Sequence, residues 1–203
     1  MSFVSAAFFS WVQGAPFYID VHAQAVDLLP PGSEKAWLDI GCGPGLVTRL
    51  ACNRGYDALG IDRDPNMVRF AVRNARGNPR CQFAVGDLKR VSGEHSADVV
   101  SAASLLFVLP DPGVAVQRLW DCVRPGGRLL VIETSKLMTP EAARRVKSTM
   151  PPGRRLALNL WARTRSGRAV APEIFDSLST HASECTPLLS GLIHAWTFVK
   201  EPA

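Results

Sequence analysis

Three acids and a run of glycines carry the chemistry that can be read from this chain: Asp39, Asp62 and Asp87, with Gly41, Gly43 and Gly45. The stretch from Trp37 to Gly45, WLDIGCGPG, sets an apolar run and one acid ahead of the glycines, and a helical pattern follows at once. Strand, glycine turn and helix in that order bring backbone N–H groups against a polar ligand with no Cβ in the way. The helix that opens at residue 45 is expected to point its N-terminus at negative charge. Asp62 closes the next apolar run, LGID, at the carboxyl end of a strand, where ligands of open α/β sheets bind. A carboxylate there accepts from both hydroxyls of a ribose and repels a 2′-phosphate. Its neighbour Asp64, followed by Pro65, suits a helix N-cap instead. Asp87, in VGDL, ends a third strand-like run and can accept from the exocyclic amine of adenine, with Met67 and Leu88 as apolar walls. Read together, these residues predict a nucleoside-containing ligand held at both ends.

Those side chains need a scaffold, and the periodicity supplies one. Strand-like runs at about 35–40, 57–61, 81–85, 97–103 and 127–133 alternate with helices at about 45–54, 65–75 and 111–123. Apolar strands alternating with helices imply a parallel sheet covered on both faces. Two short helices, 2–13 and 17–29, precede this pattern, and Pro30–Pro31–Gly32 ends the second. After it come two basic helices, 139–149 and 153–163, then a helix at 172–182. Thr139–Pro140 and Ala171–Pro172 suit helix starts. Extended runs at 184–190 and 192–200 meet around Ser190–Gly191, so tight a joint that the last strand should run antiparallel.

At 203 residues with 47% hydrophobic content the chain fits one domain with a full core. No apolar stretch approaches the roughly 20 residues of a membrane-spanning helix, and the apolar start lacks the positive flank of a signal peptide. A cytoplasmic protein is expected. The five cysteines form no C-x-x-C pair, which predicts neither a disulfide framework nor a zinc site. Cys42 reads as a small filler of the glycine turn, and Cys52, Cys81, Cys122 and Cys185 as core residues. The net charge of +5 is uneven: residues 135–170 hold nine Lys or Arg against Glu141 alone, which makes them +8 and leaves the rest at −3.

Five stretches resemble the class I S-adenosylmethionine-dependent methyltransferases: LDIGCGPG at 38–45, GIDRDPNMV at 60–68, VGDL at 85–88, DVVSAASLLFVLPD at 98–111 and VRPGGRLLVIE at 123–133. They stand in the family's order and at roughly its spacing. The resemblance implies a Rossmann-like three-layer αβα sandwich around a seven-stranded, mostly parallel sheet with the last strand antiparallel. It implies one domain over 1–203, with an N-terminal helical cap at 1–32 and a basic helical lid inserted at 135–170. Carried over, Asp39, Gly41 and Gly43 would hold the methionine portion of S-adenosylmethionine, with Cys42 of the same turn also counted as cofactor-binding. Asp62 would take the ribose, Arg63 and Met67 flank the nucleoside, and Asp87 and Leu88 face the adenine. Ser101 to Ser104 would border the reactive methyl. Tyr18 is the aromatic expected to close over the cofactor, or equally a core residue capping the sheet.

Such a methyl group is already activated, so aligned transfer in a dry pocket needs little more than a nucleophile. A thiol ionises readily, whereas an alcohol or phenol wants a base. His22, close in sequence to Tyr18, is the candidate base, and His95, His181 and His194 are set aside. No metal site is expected. SAASLL stands where amino- and adenine-methylating relatives carry Asn/Asp-Pro-Pro-Tyr/Phe, which disfavours nucleic-acid bases as acceptors. The expected activity is O- or S-methylation of a small molecule, anionic or amphiphilic if the basic segment covers it. The same charges would serve RNA, a protein or a membrane surface, or simply form solvated helix faces. Phe3, Phe8, Phe9, Trp11 and Phe17 would complete an apolar pocket or make a dimer contact. An NAD-dependent oxidoreductase is disfavoured because Leu46 stands where a dinucleotide fingerprint has its third glycine. A cofactor-binding module without activity is the other rival.

Overall fold

A computed structural model describes residues 3–91, 97–151 and 156–203. His95, Arg154 and Arg155 lie outside the described residues, as do the side chains of Phe3 and Phe8. Helices α1 (Phe3–Gln13) and α2 (Pro16–Asp27) lead into β1 (Ala36–Ile40), α3 (Leu46–Asn53), β2 (Asp57–Asp62), α4 (Pro65–Ala75), β3 (Cys81–Val85) and β4 (Ala97–Ala103). Next come α5 (Pro112–Asp121), β5 (Val123–Thr134), α6 (Pro140–Thr149), α7 (Leu156–Arg165), β6 (Ala182–Leu188) and β7 (Ile193–Val199). The strands form one sheet in the order β3-β2-β1-β4-β5-β7-β6. β1 to β5 pair in parallel, and β7 lies antiparallel between β5 and β6. The expected Rossmann-like sandwich is the fold observed.

Local chemistry explains where the helices begin. Asp64 accepts from the Asn66 amide with Pro65 behind it, Asp111 accepts from Val114 ahead of α5, and Thr139 accepts from Ala142 ahead of α6. Two elements differ from expectation. Only a short 3-10 turn, Pro172–Leu178, stands where a helix over 172–182 was predicted, because from Ala182 the chain pairs with β7. β5 starts at Val123, not 127, since Val123 already pairs with Ala97 before a shift in register.

Side chains of the central strands alternate between two cores. Leu129 and Val131 pack with Val116, Leu119 and Trp120 of α5 on one face. Leu130 and Ile132 face Phe17, Val26 and Trp161 of the helices on the other. The basic segment is therefore anchored by its apolar side: Trp161 packs 5.8 Å from the Phe17 ring and 5.6 Å from the Tyr18 ring. Burying that indole contributes about 3 kcal/mol. Most of the segment's described cations remain on the surface, but Arg165 is only 6% exposed.

The cysteines correct the sequence reading. Cys52 at the end of α3 and Cys81 at the start of β3 are joined by a disulfide, with Cα atoms 6.0 Å apart. Their 29-residue separation gives no sign of this, because the contact exists only once β3 lies beside β2. Cys185 is exposed on the outer strand β6 and is not a core residue.

Candidate active site

The carboxyl ends of β1, β2, β3 and β4 open into a cavity of about 840 Å³. That is near the upper end of the roughly 300–1,000 Å³ of small-molecule pockets. Its floor is the glycine turn. Gly41 and Gly43 have φ of +70° and +52°, and a Cβ on Gly41 would stand 2.8 Å from the Leu105 side chain. Only glycine allows the backbone to turn there and still meet the loop after β4.

Asp39 lies beneath this floor and not on the cavity wall. It is 1% exposed, and its carboxylate is fully engaged inside the protein. Oδ2 accepts from the Thr48 amide at 3.1 Å and the Thr48 hydroxyl at 2.7 Å, and Oδ1 accepts from the Ser101 hydroxyl at 2.8 Å. Ser101 in turn accepts from the Trp37 indole N–H at 2.8 Å. The N-terminus of α3, expected to face a negative ligand, is thus occupied by Asp39 itself. Burial, opposed by these hydrogen bonds, raises its pKa to about 6. Cys42 and Ser101 are buried with it and lie off the wall.

Asp62 and Asp87 do line the cavity, as do Arg63, Met67 and Leu88. Asp62 Oδ2 accepts from the Gly43 amide at 2.9 Å and Oδ1 from the Asp64 amide at 2.8 Å, so the carboxylate ties the glycine turn to the end of β2. Burial pushes its pKa up. Asp87 accepts from the Lys89 amide at 2.9 Å. Each carboxylate keeps acceptor capacity for a ligand, and among the described residues neither forms a salt bridge.

Tyr18 and Ser104 line the same cavity, with the Ser104 side chain close enough to the phenol to act on its ionisation. Burial raises the Tyr18 pKa, which keeps the phenol a proton donor. His22 stacks behind Tyr18 with ring centroids 4.0 Å apart and is 2% exposed. Its Nδ1 is 2.8 Å from the Tyr18 carbonyl, so Nδ1 carries the hydrogen and Nε2 is left without a partner. Burial lowers its pKa to about 4. The cavity wall does not include His22, because α2 turns that face into the core.

Several wall residues were not singled out by the sequence. Gln13 at the end of α1 reaches the glycine turn, with Nε2 3.3 Å from where a Gly43 Cβ would stand and Oε1 buried without a partner. Leu105, Phe107, Val108 and Leu109 form an apolar wall after β4. The apolar run SLLFVL contained the signal, but not which of its side chains turn inward. Behind that wall Glu133, 1% exposed at the end of β5, accepts from the Leu106 amide at 2.7 Å and so fixes the loop.

Burial pushes the Glu133 carboxyl up to about 7, against its ordinary 4.5. The folded protein therefore holds a proton that the unfolded chain has lost. Stability from this group is complete below pH 4.5 and declines as pH rises through 7, by about 3 kcal/mol in all. Glu133→Gln should flatten that decline. Denaturant titrations of both proteins from pH 4.5 to 7.5 check it, and parallel curves would refute it. His22 works in the opposite direction below pH 6.5, equally in both proteins, and cancels from the difference.

Residues 38–131 match the family model described as a methyltransferase domain. The chain is 32% identical over 120 residues to a trans-aconitate 2-methyltransferase of Methylobacterium radiotolerans, covering 58% of this chain and 45% of that one. It is 26% identical over 172 residues to a ubiquinone biosynthesis O-methyltransferase of Paracidovorax citrulli, covering 80% and 72%. Among solved structures, the N-methyltransferase NodS of Bradyrhizobium japonicum, in complex with S-adenosylhomocysteine, superposes with a TM-score of 0.67 at 18% identity over 93% of this chain and 90% of that one. The last likeness shows the fold alone. The chain spans between 37% and 56% of the length of the curated relatives named by these matches above 30% identity.

In fold, in the cavity at its strand ends and in these similarities the chain resembles the class I S-adenosylmethionine-dependent methyltransferases. The cofactor of that class is S-adenosylmethionine, and the wall fits it. Asp62 and Asp87 put two carboxylates on the wall, Met67 and Leu88 offer apolar surface, and Gln13, whose Nε2 reaches the glycine turn, keeps a buried amide oxygen without a partner. No described helix is long and apolar enough to cross a membrane.

Proposed function

We propose that this protein methylates an oxygen or sulfur of a small molecule. When bound, S-adenosylmethionine supplies an electrophilic methyl group. In this reading Asp62 holds the ribose, Asp87 and Leu88 take the adenine, and Arg63 and Met67 flank the nucleoside. Gly41 and Gly43 receive the methionine portion together with Gln13, and Tyr18 closes over the cofactor. Asp39, Cys42 and Ser101 shape the turn from beneath.

The observation that carries a small acceptor is the continuation of the cavity past Ser104 into the apolar wall of Phe9, Leu105, Phe107 and Val108. α1 and α7, which bring Phe9, Gln13 and Arg165 to the wall, act as cap and lid over it and limit acceptor size. Among the described wall residues beside Ser104 there is no histidine, and the Tyr18 phenol stays protonated. The chain thus favours an acceptor that ionises by itself near neutral pH, such as a thiol, a carboxylate or an acidic phenol. The trans-aconitate and ubiquinone-pathway relatives agree with small-molecule chemistry.

The test is release of S-adenosylhomocysteine from S-adenosylmethionine on mixing with panels of thiols, carboxylates, phenols and aliphatic alcohols. Turnover with one of the first three is expected. Turnover confined to aliphatic alcohols, or to RNA or protein, would overturn the reading.

A further inference from the structure

Among the described cations of the basic segment, one stands apart from the others. Arg165, the last residue of α7, is 6% exposed and lines the cavity, whereas Lys136, Arg144, Arg145, Arg163 and Arg168 lie on the surface. Its guanidinium carbon sits 4.3 Å from the centroid of Phe107 and 5.6 Å from that of Phe9, clamped between a residue of the wall and one of α1. Among the described residues this guanidinium makes no hydrogen bond and no ion pair, and its Nε is buried without a partner. The acids whose charge reaches it, Glu133 and the Tyr18 phenol, are beyond ion-pair contact or protonated.

A buried, unpaired cation is costly to keep, and two aromatic faces offset only part of that cost. A planar guanidinium fork matches a carboxylate with two parallel hydrogen bonds. From this constellation we infer that Arg165 recognises a carboxylate of the methyl acceptor, making carboxylate-bearing small molecules the substrate class of this site. The inference rests on the methyltransferase reading above. The anchoring carboxylate lies beside Phe107, Tyr18 and Ser104, on the β4 side of the cavity, whereas Asp62 and Asp87 follow β2 and β3 across β1. Gln13, not Arg165, stands at the glycine turn. The aromatic clamp holds the fork in place before the acceptor arrives, so little side-chain entropy is lost on binding.

The test uses the full chain saturated with S-adenosylhomocysteine. Benzoate, cinnamate and trans-aconitate are each compared with the corresponding carboxamide by calorimetry. At least one carboxylate should bind tenfold or more tightly than its amide. Arg165→Gln should erase that preference, with S-adenosylhomocysteine affinity changed less than threefold, and Arg165→Lys should retain part of it. Absence of any charge preference in the unmodified protein, or its survival in Arg165→Gln, overturns the inference. So does a tenfold loss of S-adenosylhomocysteine affinity in Arg165→Gln with 5′-methylthioadenosine binding intact, because the guanidinium would then hold the cofactor's own carboxylate. The unmodified protein carries the comparison by itself should both variants misfold. Failure of S-adenosylhomocysteine to bind the unmodified protein would instead sink the methyltransferase reading.

Discussion

Asp62→Ala should weaken S-adenosylhomocysteine binding by a factor of about 30 to 1,000, with the folded state retained. Hydrogen bonds to a charged group are worth roughly 1.5–3 kcal/mol each net of hydration, and water entering the truncated site restores part of the sum for two ribose hydroxyls, which leaves about 2–4 kcal/mol. The same side chain accepts from the amides of Gly43 and Asp64, so alanine also frees the glycine turn from β2. Asp62→Asn separates the two effects. It keeps an acceptor for one of these amides but loses the charge, and should fall between alanine and the unmodified protein. Calorimetric titration with S-adenosylhomocysteine reads the result directly, and circular dichroism confirms that the fold survives. Affinity within threefold of the unmodified value in Asp62→Ala would remove this residue from the site.

The second large effect falls on stability. Asp39→Ala should lower the unfolding free energy by about 3 kcal/mol and the melting temperature by about 6–12 °C. Alanine leaves the Thr48 amide, the Thr48 hydroxyl and the Ser101 hydroxyl without their acceptor in a region closed to water. Relief from burying a carboxylate offsets part of the loss, which is why the figure is below the sum of three orphaned groups. The pH dependence carries an independent signature. With a folded pKa of about 6 against an ordinary 3.8, Asp39 keeps its proton in the folded state where the unfolded chain has released it. Its contribution is therefore complete below pH 3.8 and is lost as pH rises through 6. Asp39→Ala should consequently be most harmful at acid pH and less so at pH 7.5. Thermal melts from pH 4 to 7.5 test this, and a penalty that grows with pH would refute it.

How much was legible differs residue by residue. Strand–helix alternation and the terminal hairpin were plain in the order of apolar runs and turns, because burial on both faces of a parallel sheet demands continuous apolar strands. Asp64 as a helix cap followed from Pro65 alone, and the structure agrees. Asp62 and Asp87 were placed by their positions at strand ends, and both stand on the cavity wall. Asp39, inside the apolar run one residue before the end of β1, was read as a ligand residue too, yet it points beneath the turn to Thr48, nine residues on. Strand-end position does not say which face a side chain takes, and one residue of phase reverses it.

By itself, then, the order of residues determined the layered architecture, the glycine turn and the acidic ends of β2 and β3. Each is set by local backbone preference and by which runs must leave water. Tertiary structure alone decided that His22 packs behind Tyr18, that Glu133 holds the Leu106 amide, and that Arg165, among the described cations of the basic segment, turns inward between Phe9 and Phe107. These depend on contacts between elements far apart in the chain, whose geometry exists only after α1, α7 and the loop after β4 have packed against one another.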